Sequence, residues 1–129
     1  INRGKNKHFI IKRVDPVLFS ANQDNFDRLT LTLEKHKGRG YDYLFEWSDD
    51  YIYCSELVYK GYNQAFNIPL GVIQKLGDLN RESDAVKKLI KEREKRFKKE
   101  KNLNEPILTP YSLFQSKNLQ LIFNSRELN

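Results

Sequence analysis

Residues 53–66, YCSELVYKGYNQAF, place Leu57, Val58, Tyr62 and Ala65 on one side at helical spacing. Asn67, Pro69 and Gly71 follow at once and stop the pattern. A helix running from Tyr53 or Cys54 to Phe66 is the reading, and it constrains the chain most. A one-sided apolar stripe must be covered by another layer of structure. The covering elements are legible on either side. His8 to Val14, HFIIKRV, is β-branched and aromatic, and Asp15-Pro16 ends it as a strand. Ser20 offers an N-cap, and Phe26, Leu29, Thr30 and Leu33 continue as an amphipathic helix. That helix ends at Gly38 or Gly40, with Lys35, His36 and Lys37 solvated in its last turn. Pro106 and Pro110 punctuate a connection, and Leu119 to Phe123 reads as a short final strand. Strands and helices mixed in this way, over 129 residues, make one α+β domain.

The formal charge of +6 invites a nucleic-acid or membrane-surface reading. Its distribution weakens that reading. Residues 87–101, KKLIKEREKRFKKEK, hold nine Lys or Arg and three Glu, and the remainder carries fourteen charges of each sign. The whole excess lies on one segment, read as a helix over about 83–101 with Ser83 or Asp84 as cap. Val86, Leu89, Ile90 and Phe97 form its apolar edge, and Arg93 breaks the stripe. Glu92 with Arg96, and Glu94 with Lys98, are spaced to pair. No aromatic residue alternates with the basic ones, as a single-strand binder requires. A solvated helix face is the reading, with no nucleic acid as partner. No apolar run reaches the roughly 20 residues of a membrane-spanning helix. One cysteine excludes an internal disulfide and a multi-cysteine zinc site. No metal or cofactor is expected.

Cys54 is the one residue suited to covalent chemistry. A helix start presents unpaired N–H groups and partial positive charge, which stabilise thiolates and developing oxyanions. A buried structural cysteine is the alternative. His36 and His8 each have an ordinary explanation, at a helix end and at a strand start. Asp42, Asp49 and Asp50 suit turns, and Glu56 suits the first turn of a helix. The aromatic residues Tyr41, Tyr43, Phe45, Trp47, Tyr51 and Tyr53 could line a pocket or fill a core.

The block Tyr53-Cys54-Ser55-Glu56-Leu57-Val58-Tyr59-Lys60, preceded by Gly38-Arg39-Gly40-Tyr41-Asp42, resembles the YiiX-like family of circularly permuted, papain-like thiol hydrolases of the NlpC type. The opening NRGKNKHFIIKRV, the approach FEWSDDYIYC at 45–54, GVIQKL at 71–76, and Thr109-Pro110 with Leu113-Phe114 extend the likeness over nearly the whole chain. Gly40 departs from the pattern, where proline is common. The resemblance implies a permuted papain-like fold with the cysteine at the N-terminus of a helix packed on a small antiparallel sheet. It implies Cys54 as nucleophile, with Tyr41, Asp42, Tyr53 and Ser55 as substrate-binding or oxyanion residues. Its histidine and third polar residue belong to segments this sequence does not show, so the resemblance makes neither His8 nor His36 the base. The domain 1–129 would then be incomplete at its N-terminal side. The strand at 8–14 would have its neighbours in the absent part, leaving a sheet edge open to association. The implied substrate is a peptide amide or a lipid acyl group, and the implied place is the bacterial periplasm or cell envelope. Two other readings stand beside it: a basic-helix module binding nucleic acid or an anionic membrane surface, and a non-catalytic relative that binds a peptide or lipid ligand.

Overall fold

A computed structural model of the chain describes residues 8–82 and 84–126. The first six residues of NRGKNKHFIIKRV, Ser83 as a cap, and the side chain of Val86 lie outside the described residues. The elements in order are β1 (Ile10–Val14), α1 (Gln23–Glu34), β2 (Gly40–Tyr41), β3 (Tyr51–Ile52), α2 (Cys54–Phe66), β4 (Gln74–Lys75), α3 (Leu76–Glu82), α4 (Asp84–Phe97), β5 (Pro106–Ile107), α5 (Pro110–Phe114) and β6 (Leu119–Asn124). They make three two-stranded sheets: β1 with β6 antiparallel, β2 with β3 parallel, and β4 with β5 antiparallel.

β1 runs from Ile10 opposite Asn124 to Val14 opposite Leu119, with a bulge between Ile11 and Lys12. Asp15 ends it, its carboxylate accepting from the Val17 N–H at 2.8 Å. The expectation that the neighbours of this strand lie outside the chain needs correction, because β6 is one of them. The apolar run Leu119–Phe123 pairs back across the chain because both strands carry a face that closes on the same core. Val14, Phe19, Ile68 and Leu70 form that core, with Tyr62 and Phe66 of α2 and Leu119 of β6 against it. α2 is therefore packed on a small antiparallel sheet, as the family resemblance implies.

α1 starts at Asn22, whose side chain accepts from the Asn25 N–H at 2.9 Å, two residues later than the predicted Ser20 cap. α1 meets α2 at Gly61, where a Cβ would stand 2.6 Å from Leu33 Cδ2. The face that α2 buries also differs from expectation. Ser55, Glu56, Lys60, Gly61 and Ala65 are buried, while Val58 is exposed. The polar members are tolerated because they are bonded, as described below. α2 stops at Asn67, which takes the left-handed conformation at φ 55°.

The basic helix is shorter than the predicted 83–101. It ends at Phe97, and Lys98 is left-handed at φ 52°. Glu94 pairs differently from the predicted Glu94–Lys98 spacing: its carboxylate accepts from the Lys101 N–H at 2.9 Å and ties down the chain after the helix. α3 lies beyond the breaks at Asn67, Pro69 and Gly71, in a stretch where no element was predicted, and α5 falls where Pro106 and Pro110 read as a connection. α5 is nonetheless well marked, with Thr109 Oγ1 accepting from the Ser112 N–H at 3.0 Å and Pro110 in its first turn.

Candidate active site

β2 and β3 lie side by side, Gly40 opposite Tyr51 and Tyr41 opposite Ile52, and the chain passes from β3 through Tyr53 directly into α2. This brings the Tyr41 loop to the start of the helix that begins with Cys54. Tyr53 is the N-cap, in extended conformation. Its own N–H donates to Glu56 Oε2 at 3.4 Å. The first intrahelical bond closes at Leu57 N–H to Tyr53 C=O, 3.0 Å. The N–H groups of residues 54–56 thus belong to the helix start, where the chain offers no intrahelical acceptor. Cys54 itself is exposed.

Tyr53 and Ser55 flank the cysteine and share a task. The Tyr53 hydroxyl accepts from the Leu108 N–H at 3.1 Å, and Ser55 Oγ donates to the Leu108 carbonyl at 2.7 Å. Both side chains and Leu108 are buried. The two residues on the inward side of the helix start hold the backbone of the 107–110 segment, and the cysteine between them faces outward. Burial raises the Tyr53 pKa far above its ordinary value, so the hydroxyl stays protonated.

Cys54 opens on a cleft of about 180 Å³ whose walls include Tyr41, Phe45, Tyr53, Ser55, Leu76 and Ile107. The walls are largely apolar. Beneath them Tyr53, Leu76, Ile90 and Ile107 form a second core cluster, with Phe45, Trp47 and Leu79 packed on it. Among the aromatic residues of 41–53, Tyr41, Phe45 and Tyr53 line the cleft, whereas Tyr43 and Tyr51 are exposed and Trp47 stacks edge-on to Tyr59. Burial and, next, the adjacent Cys54 raise the Tyr41 pKa, and Arg93 opposes them. Tyr41 consequently keeps a protonated hydroxyl on the wall of the cleft that Cys54 also lines.

Asp42 is not a wall of this cleft. It is buried, and its two oxygens accept from the N–H groups of Leu44 at 2.7 Å and Glu46 at 2.5 Å. It folds the aromatic loop on itself, as aspartate does in turns. Behind the helix start lies a charged network that sequence reading did not assemble. Glu56 is fully buried, and its Oε1 pairs with Lys60 Nζ at 2.7 Å. Lys60 Nζ also donates to the Ser48 carbonyl at 2.8 Å and to Asp49 Oδ1 at 2.9 Å, and sits 5.1 Å from the Trp47 ring centroid. Asp49 in turn pairs with Arg39, 3.4 Å away. The signal was present in the i, i+4 spacing of Glu56 and Lys60 inside the YCSELVYK block.

Neither histidine reaches Cys54. His8 Nε2 bonds to Asn124 Oδ1 at 3.0 Å beside the β1–β6 sheet. His36 was expected in solvent and is buried instead, its Nδ1 3.0 Å from Arg39 Nη1. Burial, then the Arg39 charge, lowers its pKa, so it is held neutral. The Gly38 turn folds it back against Arg39 because the chain must reverse there to enter β2.

Comparison with known proteins follows the same lines. A family model described as permuted papain-like amidase enzyme, YaeF/YiiX, C92 family, matches residues 7–123. The uncharacterized protein YiiX of Escherichia coli strain K12 is 32% identical over 122 residues, covering 95% of this chain and 57% of that protein. The crystal structure of metalloprotein yiiX from Escherichia coli O157:H7 superposes with a TM-score of 0.74 at 29% identity, covering 94% of this chain and 64% of that one. The chain therefore spans less than two thirds of the length of either relative. Among its described residues no three His, Cys, Asp or Glu side chains converge as a metal site would need. With its match from strand β1 to strand β6, and with the cysteine at the start of a helix packed on their sheet, the chain belongs to the YaeF/YiiX family of permuted papain-like amidases.

Proposed function

We propose that the chain carries the nucleophile of a cysteine hydrolase of the amidase or peptidase type, and that Cys54 is that nucleophile. The observation that carries the reading is the exposed thiol at the first position of α2, opening on an apolar cleft and backed by a buried ionic network. In the proposed reaction a histidine from the N-terminal part of the domain takes the Cys54 proton. The thiolate adds to an amide or ester carbonyl, and electrons move onto the carbonyl oxygen. The N–H groups at the start of α2 and the Tyr41 hydroxyl donate to that oxyanion. Collapse expels the amine or alcohol, which takes the proton from the histidine, and water then releases the acyl group from sulfur.

The other residues serve this arrangement from behind. Tyr53 and Ser55 hold the wall of the cleft through Leu108, and Asp42 shapes the loop that presents Tyr41. The apolar walls favour an apolar acyl group or side chain next to the scissile bond, whether from a peptide or a lipid. The domain 1–129 is, on this reading, the larger part of a catalytic domain completed on its N-terminal side. In the full-length protein, Cys54→Ala should abolish hydrolysis of acyl amides and esters while leaving the fold intact by circular dichroism. Undiminished turnover in that variant overturns the assignment.

A further inference from the structure

Arg93 is the residue that breaks the apolar stripe of α4, and what it touches there is a wall of the Cys54 cleft. Ile90, one turn earlier on the same face, lines the cleft, as does Phe45. The Arg93 guanidinium stands 4.0 Å from the centroid of the Phe45 ring and donates through Nη1 to the Tyr43 carbonyl at 2.8 Å. These contacts fix the group against Phe45, one of the walls of the cleft. They use one of its five N–H donors. Among the described residues, no carboxylate lies within ion-pair distance of it. Tyr41, another wall of the same cleft, feels the Arg93 charge. An apolar cleft thus has, against one of its walls, a cation that pairs with no acidic side chain among the described residues.

A solvated helix does not need this arrangement. An arginine that only served solubility would sit on the outer face of α4 with Lys91 and Lys95. Here the residue takes a stripe position, half-buried, where a leucine or isoleucine would seal the second core. Guanidinium also matches carboxylate and phosphate oxygens in a fixed fork.

We propose that Arg93 is a specificity-determining residue. Its guanidinium holds an anionic group, carboxylate or phosphate ester, on a substrate whose apolar part lies along Leu76, Leu79 and Ile107 and whose acyl carbon meets Cys54. The inference rests on Cys54 as the reacting group. It excludes a neutral amphiphile as the preferred substrate.

Two alkylating agents of similar size and opposite character test it: iodoacetate, an anion, and iodoacetamide, which is neutral. Their rate constants on Cys54 in the full-length protein are read by mass spectrometry of the peptide that contains it. The ratio of the two rates cancels any change in the thiol itself. Replacing Arg93 in the Arg93→Gln variant should lower the iodoacetate to iodoacetamide ratio about fivefold at low ionic strength, the effect of one unit charge within a screening length. Arg93→Lys should keep most of the ratio, since it keeps the charge. In the unsubstituted protein the ratio should fall as salt rises, and a ratio flat with salt overturns the proposal even if Arg93→Gln does not fold. Protection of Cys54 from iodoacetamide by octanoate, octyl phosphate and octanamide then separates the anions, with the better of the two charged ligands naming the group. A ratio unchanged by Arg93→Gln, a ratio flat with salt, or equal protection by all three ligands overturns the proposal. Failure of the hydrolase assignment would show separately, as turnover that survives Cys54→Ala.

Discussion

Lys60→Met offers the most informative single change, because its effect can be worked from the network behind Cys54. In the folded chain Glu56 is fully buried, and two groups stabilise its carboxylate: Lys60 Nζ at 2.7 Å and the Tyr53 N–H at 3.4 Å. Methionine removes the first and leaves a buried charge on one long hydrogen bond. Breaking a buried pair from one side destabilises by about 3–5 kcal/mol. The loss of the Ser48 and Asp49 contacts adds to it, since Lys60 also pins the aromatic loop. The pH dependence carries a definite sign. Burial already raises the Glu56 pKa above its ordinary 4.5, with Lys60 opposing the shift. The folded state therefore holds that proton more tightly than the unfolded state. The penalty is present in full above the folded pKa and is relieved as pH falls through it toward 4.5. Without Lys60 the shift grows, so the variant should recover against the parent on acidification. Urea unfolding followed by far-ultraviolet circular dichroism, at neutral pH and near pH 5, measures both effects. The double variant Lys60→Met with Glu56→Gln should be less destabilised than the two single losses summed. A loss under about 1 kcal/mol at neutral pH, unchanged on acidification, would refute the view that this pair supports the helix start.

Ser55→Ala leaves the buried Leu108 carbonyl without its donor and should lower stability by about 1–3 kcal/mol, read by urea unfolding. If the variant is as stable as the parent, the clamp on the 107–110 wall is not structural. Gly71→Ala should lower stability by about 2 kcal/mol or more, because φ is +89° and the new Cβ would stand 2.9 Å from the Ser112 carbonyl oxygen. Thermal unfolding with no shift in midpoint would contradict that placement.

Much of the fold was legible from local signals alone. The helix at 54–66 declared both ends, through its stripe and through Asn67. The strands at 10–14 and 119–124 declared themselves by β-branched and aromatic runs. What stayed hidden depended on distant partners. Pairing of β1 with β6 joins residues over a hundred positions apart, and nothing local encodes that choice. The two-residue strands β2 to β5 are too short for any periodicity. α5 was missed although Thr109-Pro110 is a good helix start, since five residues carry no repeat. At the site, the YCSELVYK block singled out Cys54, yet the work of its neighbours could not be read from it. Tyr53 and Ser55 face Leu108, more than fifty residues on, and Asp42 spends its oxygens on its own loop. The burial of His36 was hidden because its partner, Arg39, comes close only when the chain reverses at Gly38. Arg93 looked like a flaw in a stripe until the aromatic loop was laid against it.

The central claim is that the sulfur of Cys54 becomes acylated during turnover. Mixing the full-length protein with p-nitrophenyl octanoate and quenching within the first turnover should give a burst of nitrophenol, with one octanoyl group on the peptide that contains Cys54. The burst and the adduct should both vanish in Cys54→Ala. An octanoyl group on another residue, or a burst of equal size in that variant, would contradict the account.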